Sequence, residues 1–282
     1  MAELVVTANP AGSTAKSTVA AALAHLAAAS GQRVLVWDLD PQANLTEWLG
    51  GRRDTAGITQ ALTAAATNDP DLWPGVPTEE LAADLRRQLV RTVQHTAAGV
   101  DLVAGDLGLR ATARRWTELR SSAPELLLAE AVAAVEDSYD LLVLDSKGDL
   151  GSLTEAALRA RGKRDDPPVR VLGVATPTTK ALGGLTLLAS EVRKVAGEAA
   201  VEFAAVVPVQ IRPRNRGADA DDLYAVMRET YPALVTPPVR GASSLDAACT
   251  AGEPITMYAP DAGVSADLGA VWADLRRRGV LP

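Results

Sequence analysis

Leu4-Val5-Val6-Thr7-Ala8-Asn9-Pro10-Ala11-Gly12-Ser13-Thr14-Ala15-Lys16-Ser17-Thr18 is the stretch from which the rest of the chain can be read. Leu4–Ala8 is a short β-branched and apolar run, the length of a buried strand. A loop of small residues follows. Lys16–Ala29 is alanine-rich and closes at Ser30-Gly31, which predicts a helix. Strand, small-residue loop and Lys-Ser at a helix start form the layout of a phosphate-binding loop.

The physical basis is the helix start itself. Its first backbone N–H groups have no intrahelical partner, and the helix dipole adds positive potential there. Lys16 would reach the terminal phosphates of a nucleotide, and the Ser17 hydroxyl would ligate Mg²⁺. The usual pattern has glycine before the lysine, whereas this chain has Ala15. Taken alone, the stretch also fits an ordinary strand-to-helix turn, and later segments decide between the two.

Two hundred and eighty-two residues, 48% of them apolar and few aromatic, suit helices of small side chains packed on a sheet. The chain shows no apolar run of membrane-spanning length and no basic-then-apolar leader, so a cytoplasmic protein is expected. One cysteine, Cys249, excludes an intramolecular disulfide, and two histidines make no zinc cluster. The net charge of −7 argues against a uniformly basic nucleic-acid binder but leaves room for one basic face.

Apolar runs alternate with helical patterns along almost the whole chain, which predicts a parallel α/β sheet. Strands are expected at Leu4–Ala8, Val34–Trp37, Val100–Val103, Leu141–Leu144, Val169–Ala175 and Phe203–Val209, with a short one near Leu234-Val235. Helices are expected at Lys16–Ala29, Glu79–His95, Glu125–Glu136, Leu153–Ala160, Leu182–Ala196, Ala218–Glu229 and Ala266–Arg278. Residues 54–77 carry no clear pattern. With no repeat and no linker, a single domain over 1–282 is expected.

The second strand runs into Asp38-Leu39-Asp40-Pro41-Gln42-Ala43-Asn44-Leu45-Thr46, and another ends in Leu144-Asp145. Carboxylates at the C-terminal ends of parallel strands stand where α/β folds gather ligands. Asp145 there has the position of an acid that supports a Mg²⁺ shell. Asp38 and Asp40 could instead cap the next helix, and Asp145 could be a solvated loop acid.

These segments together resemble the ParA/MinD family of deviant Walker ATPases, and more closely its ParA branch. The resemblance rests on Lys16-Ser17-Thr18, on Asp38 to Thr46, and on Tyr139-Asp140 through Asp145. Arg240-Gly241-Ala242-Ser243-Ser244-Leu245-Asp246-Ala247-Ala248 and Gly252-Glu253-Pro254-Ile255 add to it. It implies a P-loop NTPase-like fold: a mostly parallel twisted sheet of about seven strands with helices on both faces.

The resemblance also implies an ATP- and Mg²⁺-dependent homodimer that binds DNA without sequence preference and hydrolyses ATP when a ParB-like or cargo adaptor stimulates it. Pro10, Ala11, Gly12, Ser13, Thr14, Ala15, Lys16, Ser17 and Thr18 would hold the phosphates, and Val206–Arg214, with Pro208 and Pro213, would border the adenine. Asp40 would orient the attacking water, while Ser17, Asp38 and Asp145 would serve the metal. Arg212, Arg214 and Arg240 are the candidates for DNA phosphates.

The chain departs from the family in three places. The family's signature lysine is Ala11 here, two loop glycines are Ser13 and Ala15, and Lys147-Gly148 replaces a Pro-Pro pair after Asp145. Lys147 is therefore a candidate replacement for the absent lysine; a bystander loop lysine is its alternative. Two rival functions remain open in the sequence: a membrane-associated MinD-like ATPase and a scaffold that has lost turnover. The run Arg276-Arg277-Arg278 reads as a solvated helix end, and His25, His95 and the tryptophans read as packing or surface residues.

Overall fold

The computed structural model describes residues 1–12, 14–53, 59, 79–111, 113–114, 123–161, 167–211 and 218–282. Its seven strands are β1 (Glu3–Ala8), β2 (Val34–Asp38), β3 (Val93–His95), β4 (Asp101–Val103), β5 (Leu141–Asp145), β6 (Val169–Ala175) and β7 (Val201–Pro208). They lie in one sheet in the order β3-β4-β2-β5-β1-β6-β7. Every pairing is parallel except β3 with β4. The P-loop NTPase-like α/β expectation is met, with β1 and β5 at the centre of the sheet.

The helices are α1 (Lys16–Ala29), α2 (Asn44–Trp48), α3 (Glu79–Thr92), α4 (Ala123–Val135), α5 (Ser152–Leu158) and α6 (Thr179–Val195). They continue with α7 (Ala218–Thr230), α8 (Ser244–Ala251), α9 (Ile255–Tyr258) and α10 (Gly263–Arg277). Both faces of the sheet are covered, so β2 and β5 are buried at every residue. Side chains alternate between the two layers, as the strand period of two requires. Leu4, Val6, Leu35, Trp37, Leu142 and Leu144 pack with α4, α5 and α6. Val5, Val34, Val36, Leu141 and Val143 pack with α1 and α10 on the other side. Five of the seven alanines of α1 (Ala20, Ala21, Ala22, Ala24 and Ala27) are buried, so their small side chains let this helix lie close to the strands.

Several elements differ from the sequence expectation; among them, α6 and α10 each begin three residues early, at Thr179 and Gly263. The predicted helix Glu79–His95 stops at Thr92, whose hydroxyl donates to the Leu89 carbonyl, and Val93–His95 becomes an antiparallel edge strand on β4. β7 begins at Val201 rather than Phe203. Near Leu234-Val235 there is only an isolated bridge from Val235 to Val206. The helices α2, α8 and α9 lie outside the expected ranges, because each is too short to show a clear period. Among the described residues, no helix is long and apolar enough to cross a membrane.

Candidate nucleotide site

The loop after β1 is held from below by Asn9. Its side-chain amide donates to the Val174 carbonyl at 2.9 Å and to the Ala181 carbonyl at 3.3 Å, and its Oδ1 accepts from the Ala11 N–H at 2.9 Å. One side chain thus ties the loop to the end of β6 and the start of α6. The approach needs glycine at 184, where an added Cβ would sit 2.2 Å from Asn9 Oδ1.

Ala15 closes the loop in the left-handed conformation, at φ 57° and ψ 29°. For a residue with a Cβ this conformation costs on the order of 1–2 kcal/mol. The backbone thus adopts here, with an alanine, the conformation that glycine takes most readily. No side chain caps the N-terminus of α1, so its first N–H groups are left for an anion.

Lys16 is only 8% exposed, and its ammonium donates to the Asn9 carbonyl at 3.3 Å. Burial lowers its pKa; the charges of Asp145, Asp40 and Asp149 oppose that effect. Ser17 Oγ donates to Asp145 Oδ2 at 2.5 Å, while Thr7 Oγ1 donates to the other oxygen at 2.6 Å. Asp145 is fully buried, and burial raises its pKa against the pull of these hydroxyls and of Lys16.

Asp38 stands opposite Asp145 across the β2–β5 pairing and is also fully buried. Burial raises its pKa and the neighbouring Asp145 charge adds to the rise, against hydrogen bonds from Thr46 and the Asp40 N–H. Its Oδ2 accepts from both the N–H and the hydroxyl of Thr46 at 2.8 Å, and its Oδ1 accepts from the Asp40 N–H at 3.1 Å. Asp38 therefore does cap α2, the alternative left open by the sequence, while standing beside Asp145. Thr46 Oγ1 in turn accepts from the Gly105 N–H at 3.0 Å, which joins the end of β4 to this cluster. Asp40 is partly exposed and turns the chain by accepting from the Gln42 N–H.

Gly148 lies against the phosphate loop: a Cβ built there would be 3.5 Å from both Gly12 Cα and Lys16 Nζ. Beside it, the Lys147 ammonium pairs with Asp149 at 2.6 Å. The structure thus brings Lys16, Ser17, Asp38, Asp40, Asp145 and the Lys147–Gly148 segment to one edge of the sheet. Pro208 ends β7, where its carbonyl accepts from the Val239 N–H. Arg240 is 56% exposed, but Asp267 already holds its guanidinium through bonds of 2.6 and 2.9 Å. Ser13, Arg212, Pro213 and Arg214 fall outside the described residues.

Sequence reading did not single out Thr7, Asn9, Thr46 or Gly184. Thr46 lies inside the quoted Asp38–Thr46 motif, and Asn9 is the one amide between an apolar strand and the loop. Those were the available signals.

The oxygen donors fit Mg²⁺, which takes one or two carboxylates and substrate phosphates rather than a cage of protein ligands. Among the described residues, no group of three or more His, Cys, Asp or Glu could form such a cage. The buried Lys16 ammonium and the uncapped helix start fit a polyphosphate.

A family profile described as "AAA domain" matches residues 2–203. The chain is 28% identical over 160 residues to the sporulation initiation inhibitor protein Soj of Bacillus subtilis, a match spanning 57% of this chain and 55% of Soj. The chain thus spans about half the length of that relative. It is 25% identical over 263 residues to a ParA family protein of Chlamydia muridarum, a match spanning 91% of this chain and 90% of the relative. The solved ATP complex of a McdA variant from Cyanothece superposes with a TM-score of 0.76 at 18% identity, covering 100% of this chain and 98% of that one. That likeness concerns the fold. With the matched profile, the relatives and the loop geometry together, the chain belongs to the AAA-domain family and, within it, to the ParA/MinD/Soj branch of deviant Walker A P-loop ATPases.

Proposed function

We propose that the protein is a Mg²⁺-dependent ATPase whose ATP-bound form dimerises and binds DNA without sequence preference, in partition of a replicon or positioning of another cargo. A ParB-like or adaptor protein would stimulate hydrolysis. The single observation that carries this reading is the meeting of the Ser17 hydroxyl and the Asp145 carboxylate beside the buried Lys16 ammonium. A turn that only connected a strand to a helix would have no reason to bury a lysine there.

In this reading, residues 10–18 wrap the phosphates, those from Gly12 onward presenting backbone N–H groups because Pro10 has none and the Ala11 N–H is taken by Asn9, and Lys16 supplies the fixed positive charge. Ser17 and Asp145 hold the metal, which would neutralise developing phosphate charge. Asp38, itself held by Thr46, adds negative charge beside Asp145 and fixes the turn that carries Asp40 by accepting from the Asp40 N–H. Asp40 is partly exposed and orients the attacking water. Pro208 and Pro213 border the base. These roles are positioning and electrostatic ones, as phosphoryl transfer requires.

Ala11 cannot provide the charge that the family's signature lysine provides across the dimer. Lys147 sits on the segment that touches the phosphate loop, and we assign it that role. Its pairing with Asp149 would have to open for it to reach a partner's phosphates. Arg212, Arg214 and Arg240 would meet DNA phosphates, Arg240 only by giving up Asp267.

The MinD-like alternative is disfavoured by the C-terminal segment. Val280 and Leu281 are buried, and Arg276, Arg277 and Arg278 precede them, so little apolar surface is offered to a lipid. Measuring ATP affinity and ATP turnover on one preparation, with and without DNA, tests the proposal. Affinity with no turnover under any condition favours the scaffold; no affinity rejects both.

A further inference from the structure

The Lys147–Gly148 segment has a second side. Gly148 meets the phosphate loop, whereas Lys147 lines a separate cavity of about 230 Å³ with Pro41, Arg110, Arg114, Asp149 and Ser152. That volume equals the liquid share of on the order of seven waters, room for a small anion and part of its hydration. Three cationic side chains and one carboxylate line it.

The carboxylate is already committed. Asp149 Oδ2 pairs with Lys147, and Oδ1 accepts from the Gly151 N–H at 3.0 Å. The Arg110 guanidinium, by contrast, makes no hydrogen bond or ion pair with any described residue. Arg110 and Arg114 are four residues apart on a helical turn, a spacing at which like charges repel. The turn is nonetheless fixed in place. Leu109 is buried in the core beneath it, and Ser152 Oγ donates to the Ala113 carbonyl at 3.2 Å. Cations held at a cavity by their own scaffold, with one of them unanswered, favour an oxyanion between them.

We propose that this cavity is a second oxyanion site, for a phosphate- or carboxylate-bearing small ligand, distinct from the phosphate loop and joined to it through Lys147-Gly148. The inference does not depend on nucleotide binding, and its test needs none. The full-length Lys16→Ala variant, which lacks the phosphate-loop cation, is titrated calorimetrically with inorganic phosphate and, separately, with succinate, in metal-free buffer. Saturable binding of at least one anion is expected, weakened tenfold or more when Arg110→Gln is added. The better-bound anion identifies the source. The exposed position of Arg110 makes this second change compatible with folding, which an unchanged thermal melt verifies; Arg110→Lys, keeping the charge, should retain most of the binding. Absence of saturable binding of both anions in Lys16→Ala, or binding that Arg110→Gln leaves unchanged, overturns the site.

Discussion

Ser17 and Asp145 are 128 residues apart in the chain and joined by a 2.5 Å hydrogen bond from hydroxyl to carboxylate. The bond exists because β1 and β5 are neighbours in register, Thr7 opposite Asp145, so the helix after β1 starts beside the end of β5. Thr7 holds the other carboxylate oxygen, which leaves the aspartate little rotational freedom.

This arrangement has a pH signature in the metal-free protein. Asp38 is raised to about 7 and Asp145 to about 6, from an ordinary value of 3.8, chiefly by burial. A carboxyl whose folded pKa is raised binds more protons folded than unfolded, so folding stability falls as pH rises through that window. In EDTA, the thermal midpoint should decline between about pH 4 and pH 7, and Asp145→Asn should flatten the decline. Mg²⁺ should have its largest stabilising effect at the upper end. A midpoint rising across the window in wild type, and unmoved by Asp145→Asn, would contradict the assignment.

Ala15 carries strain that a glycine would not. Ala15→Gly should raise stability in urea unfolding by up to about 1 kcal/mol, because the left-handed penalty outweighs the extra freedom of the unfolded chain. ATP affinity should be unchanged or improved. A loss of stability would mean that the alanine side chain contributes more by packing than its backbone costs.

Thr46 positions rather than reacts. Thr46→Val removes the donor to Asp38 and the acceptor for the Gly105 N–H, and should cost about 1–3 kcal/mol of stability. Turnover should fall with little change in ATP affinity, since the Asp40 turn loosens while the phosphate loop stays intact. Thr46→Ser should restore both. Failure of serine to rescue turnover would assign Thr46 a packing role only.

Asp40 and Lys147 separate by their defects. Asp40→Ala should keep ATP binding and dimerisation and lose turnover by on the order of 10²-fold. Lys147→Ala should lose ATP-dependent dimerisation, seen by light scattering, along with turnover, and Ala11→Lys should restore at least one of them. Persistence of both in Lys147→Ala would make that lysine a bystander.

The strands and the acids at their ends were legible in the sequence because a strand buried on both faces is a run of apolar residues, as in Leu141–Leu144. The loop's ends were legible for the same reason: a strand stops, and a lysine opens a helix. What escaped were contacts that topology makes. Asn9 bonds to Val174 across 165 residues, and Gly184 is glycine because Asn9 occupies the space of its Cβ. Thr46 was inside a quoted motif, but its partner Gly105 comes from another strand end. The edge strand Val93–His95 was hidden because helical periodicity runs into it, and only pairing with β4 ends the helix.

Every role in ATP turnover assigned above requires that Lys16 and its loop hold a nucleotide's phosphates. Titration of Mg²⁺·ATP into wild type and into Lys16→Ala, with folding checked by circular dichroism, tests it most directly. Saturable binding in wild type that disappears in the variant is predicted; near-wild-type affinity in Lys16→Ala would contradict it.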